Sequence, residues 1–461
     1  MAFDERQRRS NTRELIRKLI PWSVSGIGIL VVTAALGSLA LHAYGAHRLE
    51  KVRAEFHARW GHLTQIAPPL SVPDHENGAR WLLAGGRAIV CTVEDRRFYG
   101  QLSNRSAAGW TDRERSRAQW ILHEQQNALE ILLRSGTVET FDLGTDEVRA
   151  SHEDLDFSSI LMGLRLLMLE ARLAWSEGRT SDSLAALDAV GRAADGLMQT
   201  PIVMTSTIGS AATRWTARAA ADFVSDPCTD VGTLEGIFAA LPSEDPVHRG
   251  NITLAVSVAE IAGEGLRYID DPHDPSMGWS IPFWISNHYL LEDLFVAEIL
   301  ERWSLQLELG QEPAARWSSS AAHEIWGAPS WPPWLALGGT YTPNLLSVRA
   351  REQAASTELQ QTKFAIGLRL ASPDGLGPEA CATLSGWGPT ALTGEPIACL
   401  FDEERGLIVI EIPGAVETLR AHVSMESQAA TFPPIEIPVG RSGPGCGQAI
   451  GPGPWTTTAS R

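Results

Sequence analysis

The sequence predicts a mainly α-helical protein with an N-terminal transmembrane helix, a multi-helix ectodomain and a small C-terminal β module. Three observations carry this. The stretch Pro21 to Tyr44 contains no Asp, Glu, Lys or Arg, and a spanning helix needs about 20 mostly apolar residues. From Thr111 to Leu305 apolar residues recur at helical spacing. After Ser372-Pro373-Asp374-Gly375 short apolar, strand-like runs replace that pattern.

The first segment, residues 1–20, carries Arg6, Arg8, Arg9, Arg13, Arg17 and Lys18 against Asp4, Glu5 and Glu14, six minus three or +3. Basic residues beside a span stay cytoplasmic, and aromatic residues mark its interfaces. Trp22 and Tyr44 bracket the run. Arg48, Lys51 and Arg53 on the far flank narrow the bias without reversing it. Residues 21–44 are therefore expected to cross an inner membrane once, with the N-terminus cytoplasmic and the bulk periplasmic or extracytoplasmic. A cleaved signal peptide would have a shorter apolar core of roughly 7 to 15 residues. Residues 45–74 read as a helical stalk and linker, ended by Pro68, Pro69 and Pro73, which cannot continue a helix.

A chain of 461 residues has room for two or three domains. Its net charge is −17, so removing the +3 of the first segment leaves −20 for the remainder. That acidity argues against nucleic acid and against docking on anionic lipid heads. Of the five cysteines, Cys91, Cys228, Cys381, Cys399 and Cys446, at least one stays unpaired in an oxidising compartment. Cys381 and Cys399 flank a Gly/Pro-rich loop and could pair; spacing alone does not settle connectivity.

The α-helical domain is expected over residues 75–340. Asp74 is a candidate N-cap for a helix through Leu82, interrupted or ended at Gly85-Gly86. Thr111 to Arg134 reads as one helix, stopped by Gly136. Leu155 to Glu177 and Ser181 to Leu197 form the strongest helical pair, joined by a turn at Gly178, with His152-Glu153-Asp154-Leu155-Asp156 as an acidic N-cap. Further helices are expected over 201–225, with Pro201 in its first turn, over 228–241, capped near Asp230 or Thr233, and over 245–268 and 287–308. Residues 341–440 would hold a long helix, opened by Thr342-Pro343-Asn344 and running to about Ala371, and a β module. Its strands are Ile397–Phe401, Leu407–Ile412 and Ile435–Pro438. The Gly/Pro/Ser/Thr-rich residues 441–461 read as a disordered tail.

The hairpin with its Ser-Glu-Gly-Arg-Thr turn looks like a tetratricopeptide-type unit, without a 34-residue period on either side. Four phrases carry a wider resemblance: Glu76-Asn77-Gly78-Ala79-Arg80, Glu177-Gly178-Arg179, Thr342-Pro343-Asn344 and Leu392-Thr393-Gly394-Glu395-Pro396. Through them the chain resembles a set of uncharacterised bacterial single-pass, membrane-anchored proteins with a helical ectodomain. The resemblance implies an architecture and brings neither an activity nor catalytic residues. The long helix and β tail are also similar to the end of a pseudopilin, although Ala391-Leu392 stands where that family has Asp-Pro and no Gly-Phe-type cleavage site precedes the span.

No motif specifies an enzyme. His323-Glu324 lacks the second histidine of a zinc helix, with Gly327 and Ser319 four residues to either side. No Gly-x-Ser-x-Gly elbow and no Gly-x-x-x-x-Gly-Lys loop occurs. The most distinctive loops, 270–334, combine Asp271, His273 and Asp274 with Trp279, Trp284, Trp331 and Trp334. Carboxylates beside an imidazole can hold a hard cation, and exposed indoles stack on sugars or anchor partners. Asp and Pro are equally plain turn formers, and indoles also fill gaps between helices. No cofactor, metal site or catalytic residue is expected. The partners expected are the lipid bilayer, through residues 21–44, and an envelope protein. The function expected is a non-enzymatic scaffold or interaction protein of the cell envelope. The alternatives are an envelope hydrolase or glycan-binding protein using the 270–334 loops, and a secretion or pilus accessory component.

Overall fold

The structure is a computed structural model and describes residues 32–33, 35–64, 72–143, 156–200, 202–264, 292–317, 345–372, 376–377, 379–383, 388–422 and 432–439. These are mainly helical, with a three-stranded sheet near the C-terminus. The chain divides into two compact units. One comprises Met1–Gly61, Val258–Ser304 and Ala328–Thr342; the other comprises His62–Ser257, Leu305–Gly327 and Pro343–Arg461.

In the first unit residues 35–60 are helical. Leu49, Val52, Phe56 and Trp60 recur at helical spacing and are buried. Gly45 allows close approach to Leu294, whose Cγ would lie 3.2 Å from a Cβ built there. Arg48 pairs with Glu298 at 3.1 Å and Glu301 at 2.5 Å. Val32, Leu36, Leu39, Leu41 and Tyr44, by contrast, are exposed. No helix among the described residues is long and apolar enough to cross a membrane. Only 32–33 and 35–44 of the expected 21–44 span are described; the remainder, including Trp22, lies outside the described residues.

The second unit opens with helix α1 (Gly78–Ala88). Its cap is Asn77 rather than Asp74, which instead begins a single 3-10 turn. The Asn77 carboxamide accepts from Ala79 N at 3.0 Å and donates to Asp142 O at 2.6 Å, closing the loop that follows Arg134. Gly85 and Gly86 do not end α1. A Cβ at Gly86 would stand 2.2 Å from the Ser159 carbonyl, so the pair serves close helix packing. Helix α2 (Val93–Leu102) is an addition to the sequence reading, begun by a Thr92/Asp95 capping box. The helix expected over 111–134 divides into α3 (Asp112–Glu124) and α4 (Gln126–Arg134). The break falls at Gln125, whose side chain accepts from Val90 N at 3.1 Å and donates to Val90 O at 2.8 Å.

Helices α5 (Phe157–Ser176) and α6 (Thr180–Gln199) form the expected hairpin. Asp156 caps α5 by accepting from Ser159 N, and Gly178 turns the chain at φ +73°. Helix α7 (Val203–Val224) packs on α6, and α8 (Val231–Ala240) is capped by Asp230. Pro201 lies outside the described residues. Helices α9 (Pro246–Glu264) and α10 (Glu292–Gln311) precede α11 (Leu346–Ala371), which packs along α7. Thr342 and Pro343 lie outside the described residues, and α11 itself starts at Leu346 without a side-chain cap.

The tail holds α12 (Ala380–Thr383), β1 (Ala398–Asp402), β2 (Leu407–Glu411), α13 (Ala415–His422) and β3 (Ile435–Pro438), in antiparallel order β1-β2-β3. The strands fall where their apolar runs predict; α13 was not anticipated. Ile408, Ile410, Ile435 and Ile437 join the same core as Leu164, Leu187, Phe223 and Ile366, so sheet and bundle share one interior. A Cys381–Cys399 disulfide staples α12 to β1. Cys228 is also disulfide-bonded, and Cys91 is a free thiol. Residues 441–461 lie outside the described residues.

Candidate functional site

In the second unit a run of buried charged, amide and hydroxyl side chains lies along α11. Arg349, Glu352, Gln353, Thr357, Glu358, Gln361 and Thr362 are all buried along it. Buried polar groups need partners, and each of these has one on another element or on α11 itself.

Toward the start of α11, Arg349 pairs with Glu352 one turn on and with the Asn251 side chain of α9. Glu352 also accepts from the Ser206 hydroxyl of α7 at 3.2 Å. Two glycines make this room. A Cβ at Gly250 would meet Glu352 Oε2 at 2.1 Å, and one at Gly310 would meet Arg349 Nε at 2.5 Å. Burial pushes the Glu352 carboxyl above the usual glutamate value, and nearby Asp245 adds to this against the pull of Arg349 and Ser206.

Two turns on, Glu358 accepts from Arg214 at 2.7 Å and from Arg218 at 2.8 and 3.1 Å. Both arginines lie on α7, one turn apart, so one carboxylate receives two guanidiniums. Burial alone would raise Glu358, but the two cations outweigh it and hold the carboxyl below its usual value. The two glutamates of α11 are thus pushed in opposite directions by the number of cations each faces.

The uncharged side chains hold backbone. Gln353 donates to Glu312 O at 2.7 Å and accepts from Ala314 N at 2.8 Å. Thr357 accepts from Leu392 N at 3.1 Å, and Gln361 donates to Ile410 O at 2.8 Å. Thr362 donates to Ala217 O at 3.1 Å. Arg369 closes the helix by donating to the carbonyls of Val224, Asp226 and Thr229 at 2.6 to 2.7 Å. These bonds tie the bundle, the Ala314 turn and the sheet to one rod.

No family model matches the chain, and no curated protein and no solved structure matches it.

The residues picked out in the loops, Asp271, His273, Asp274, Trp279, Trp284, Trp331 and Trp334, lie outside the described residues, as do His323 and Glu324. Their neighbour Trp317 is described and buried. Its Nε1 donates to Leu309 O at 2.8 Å and its ring meets His422 edge-on. Among the described residues no group of three His, Cys, Asp or Glu side chains is placed to hold a metal ion. A cavity of about 220 Å³ opens at the start of α5, lined in part by Arg87, Cys91, Arg96, Asp156 and Ser159. Asp156 there is engaged in capping, since its carboxylate takes both the N–H and the hydroxyl of Ser159. The α11 residues were not singled out from the sequence. Their one available signal was Arg, Glu and Gln distributed around every face of a helix that also carries Ala and Leu on every face.

Proposed function

We propose that this chain is a membrane-anchored, extracytoplasmic helical scaffold of the cell envelope. The observation that carries the scaffold reading is α11. Its buried charged and amide side chains are engaged in ion pairs and in other elements' backbone, an arrangement that fixes relative position. Buried polar networks of this sort impose a unique arrangement of elements. Packed helices held in fixed relative positions offer a preformed surface to a partner.

Two features support the location. Val32, and Leu36, Leu39, Leu41 and Tyr44 in the first part of the helix over 35–60, are exposed where the charge-free run continues, whereas the later apolar residues Leu49, Val52, Phe56 and Trp60 are buried. Disulfides form and persist in oxidising compartments, and the Cys381–Cys399 bond fits that side of the membrane. In the anchored reading the basic first segment stays cytoplasmic.

The test is in-cell crosslinking, followed by carbonate extraction of membranes, purification in detergent and mass spectrometry of the attached proteins. The reading expects a carbonate-resistant protein with a reproducible envelope partner. A protein released by carbonate, or one retained but free of any partner, sinks the anchor or the scaffold part respectively.

A further inference from the structure

Among the described residues the sheet order leaves β1 as an edge. In an antiparallel ladder each residue turns its N–H and C=O toward the partner strand only at alternate positions, so the intervening groups of β1 face outward. Among the described residues, no hydrogen bond outside the β1–β2 ladder reaches Ala398, Cys399, Leu400 or Phe401. Natural edges are guarded by Lys, Pro, a bulge or a covering element. The strand Ala-Cys-Leu-Phe-Asp contains neither Lys nor Pro. Cys399 and Phe401 pack toward the core, while Leu400 at the midpoint is 54 % exposed. The disulfide to Cys381 holds the strand in place.

We propose that β1 pairs with β1 of a second copy of this chain, antiparallel about a two-fold axis at Leu400, so that two sheets join along their edges. A row of outward amides beside an exposed leucine is complementary to the backbone of another extended strand, and β1 supplies such a strand itself. In this register Leu400 faces the partner's Leu400, and Ala398 faces the partner's Asp402. Each acid meets a methyl group, and the apolar residue at the axis meets its own kind. Slipping the axis to Asp402 would set two carboxylates directly opposite, which is destabilising. The contact is isologous, as a closed dimer requires. A five-residue strand buries far less than the roughly 1,200 Å² of a standard interface, so the association is weak in dilute solution and is best captured covalently. The inference goes beyond the anchoring reading and does not depend on it.

The test uses the full chain in a Cys91→Ser background. Leu400→Cys puts one thiol from each copy at the axis. Opposed Cα atoms there stand about 4.5 to 5.5 Å apart, inside the roughly 4.4 to 6.8 Å a disulfide spans. Under mild oxidation this variant is expected to form a covalent dimer on a non-reducing gel. Peptide mass spectrometry should show the two copies of position 400 linked and Cys381–Cys399 retained. Glu403→Cys, exposed but separated from its mate by about 20 Å at roughly 3.3 Å per residue, is expected to stay monomeric. A Leu400→Cys chain that remains monomeric with the native disulfide intact overturns the proposal, as does a disulfide to a different polypeptide. Should that variant scramble its disulfide, Leu400→Lys decides by sedimentation. The native chain is expected to show a concentration-dependent dimer that this variant loses; a native chain monomeric at every concentration overturns the proposal.

Discussion

Glu358→Gln is expected to destabilise the second unit by about 3 to 5 kcal/mol, the range for removing one partner of a buried ion pair. The carboxylate takes three hydrogen bonds from Arg214 and Arg218, at 2.7, 2.8 and 3.1 Å. Charge-assisted bonds contribute roughly 1.5 to 3 kcal/mol each. The amide keeps one acceptor, and Arg218 is the less buried of the two arginines, with 15 % side-chain exposure against 8 % for Arg214. Those two allowances bring the sum down into the stated range. The assay is equilibrium urea unfolding followed by far-UV circular dichroism. With a slope of roughly 2 to 3 kcal/mol per molar urea, the midpoint falls by about 1 to 2.5 M. A control separates charge from packing. Arg214→Met, Arg218→Met and Glu358→Leu combined removes the whole trio and is expected to leave stability within about 1 kcal/mol of the parent or higher. A single Glu358→Gln change costing under about 1 kcal/mol would refute the view that these guanidiniums depend on that carboxylate.

The two glutamates should also give opposite pH slopes. Glu352 is raised above its ordinary 4.5 by burial, so stability falls as pH rises from 4.5 through its folded value; Glu352→Gln therefore gains on the parent over that interval. Glu358 is lowered, so its contribution is present above 4.5 and is lost as pH falls through its folded value; Glu358→Gln converges on the parent there. Urea midpoints across that range check both, and parallel slopes would contradict the assignment. Asp156→Ala removes the α5 cap, whose carboxyl the Ser159 hydroxyl and N–H hold below the usual aspartate value, and should cost about 0.5 to 2 kcal/mol in the same assay. Loss of the Cys381–Cys399 bond, which closes a loop of sequence separation 18, should cost about 3 kcal/mol, read by comparing the parent with Cys381→Ser/Cys399→Ser.

What was legible in the sequence was what local chemistry decides. The α5–α6 hairpin is announced by apolar spacing and by Gly178, whose positive φ the turn requires. β2 and β3 are announced by Ile and Val, and β1 by the apolar run that ends in Leu400 and Phe401. Where distant partners decide, the pattern misleads. Gly85-Gly86 reads as a stop because glycine is a poor helix former, yet Ser159 and Leu132 leave no space for a Cβ there. The uninterrupted pattern over 111–134 gives no hint of the break at Gln125, because the group that engages Gln125 is the backbone of Val90, 35 residues earlier. On α11 the buried polar residues were not singled out, because their partners lie far away in sequence, as Arg214 and Arg218 do for Glu358 at a separation of roughly 140 residues. Periodicity reports which faces are apolar; it does not report that a polar face meets another polar face inside a core.

The most direct test of the anchored, extracytoplasmic reading is the accessibility of one thiol in intact cells. In a Cys91→Ser background, Glu403→Cys lies in the exposed loop between β1 and β2. A maleimide that cannot cross the inner membrane is added to cells whose outer layer has been permeabilised. The reading predicts prompt labelling of a protein that stays with the membrane. Labelling only after the inner membrane is broken would put the β module on the cytoplasmic side and contradict it.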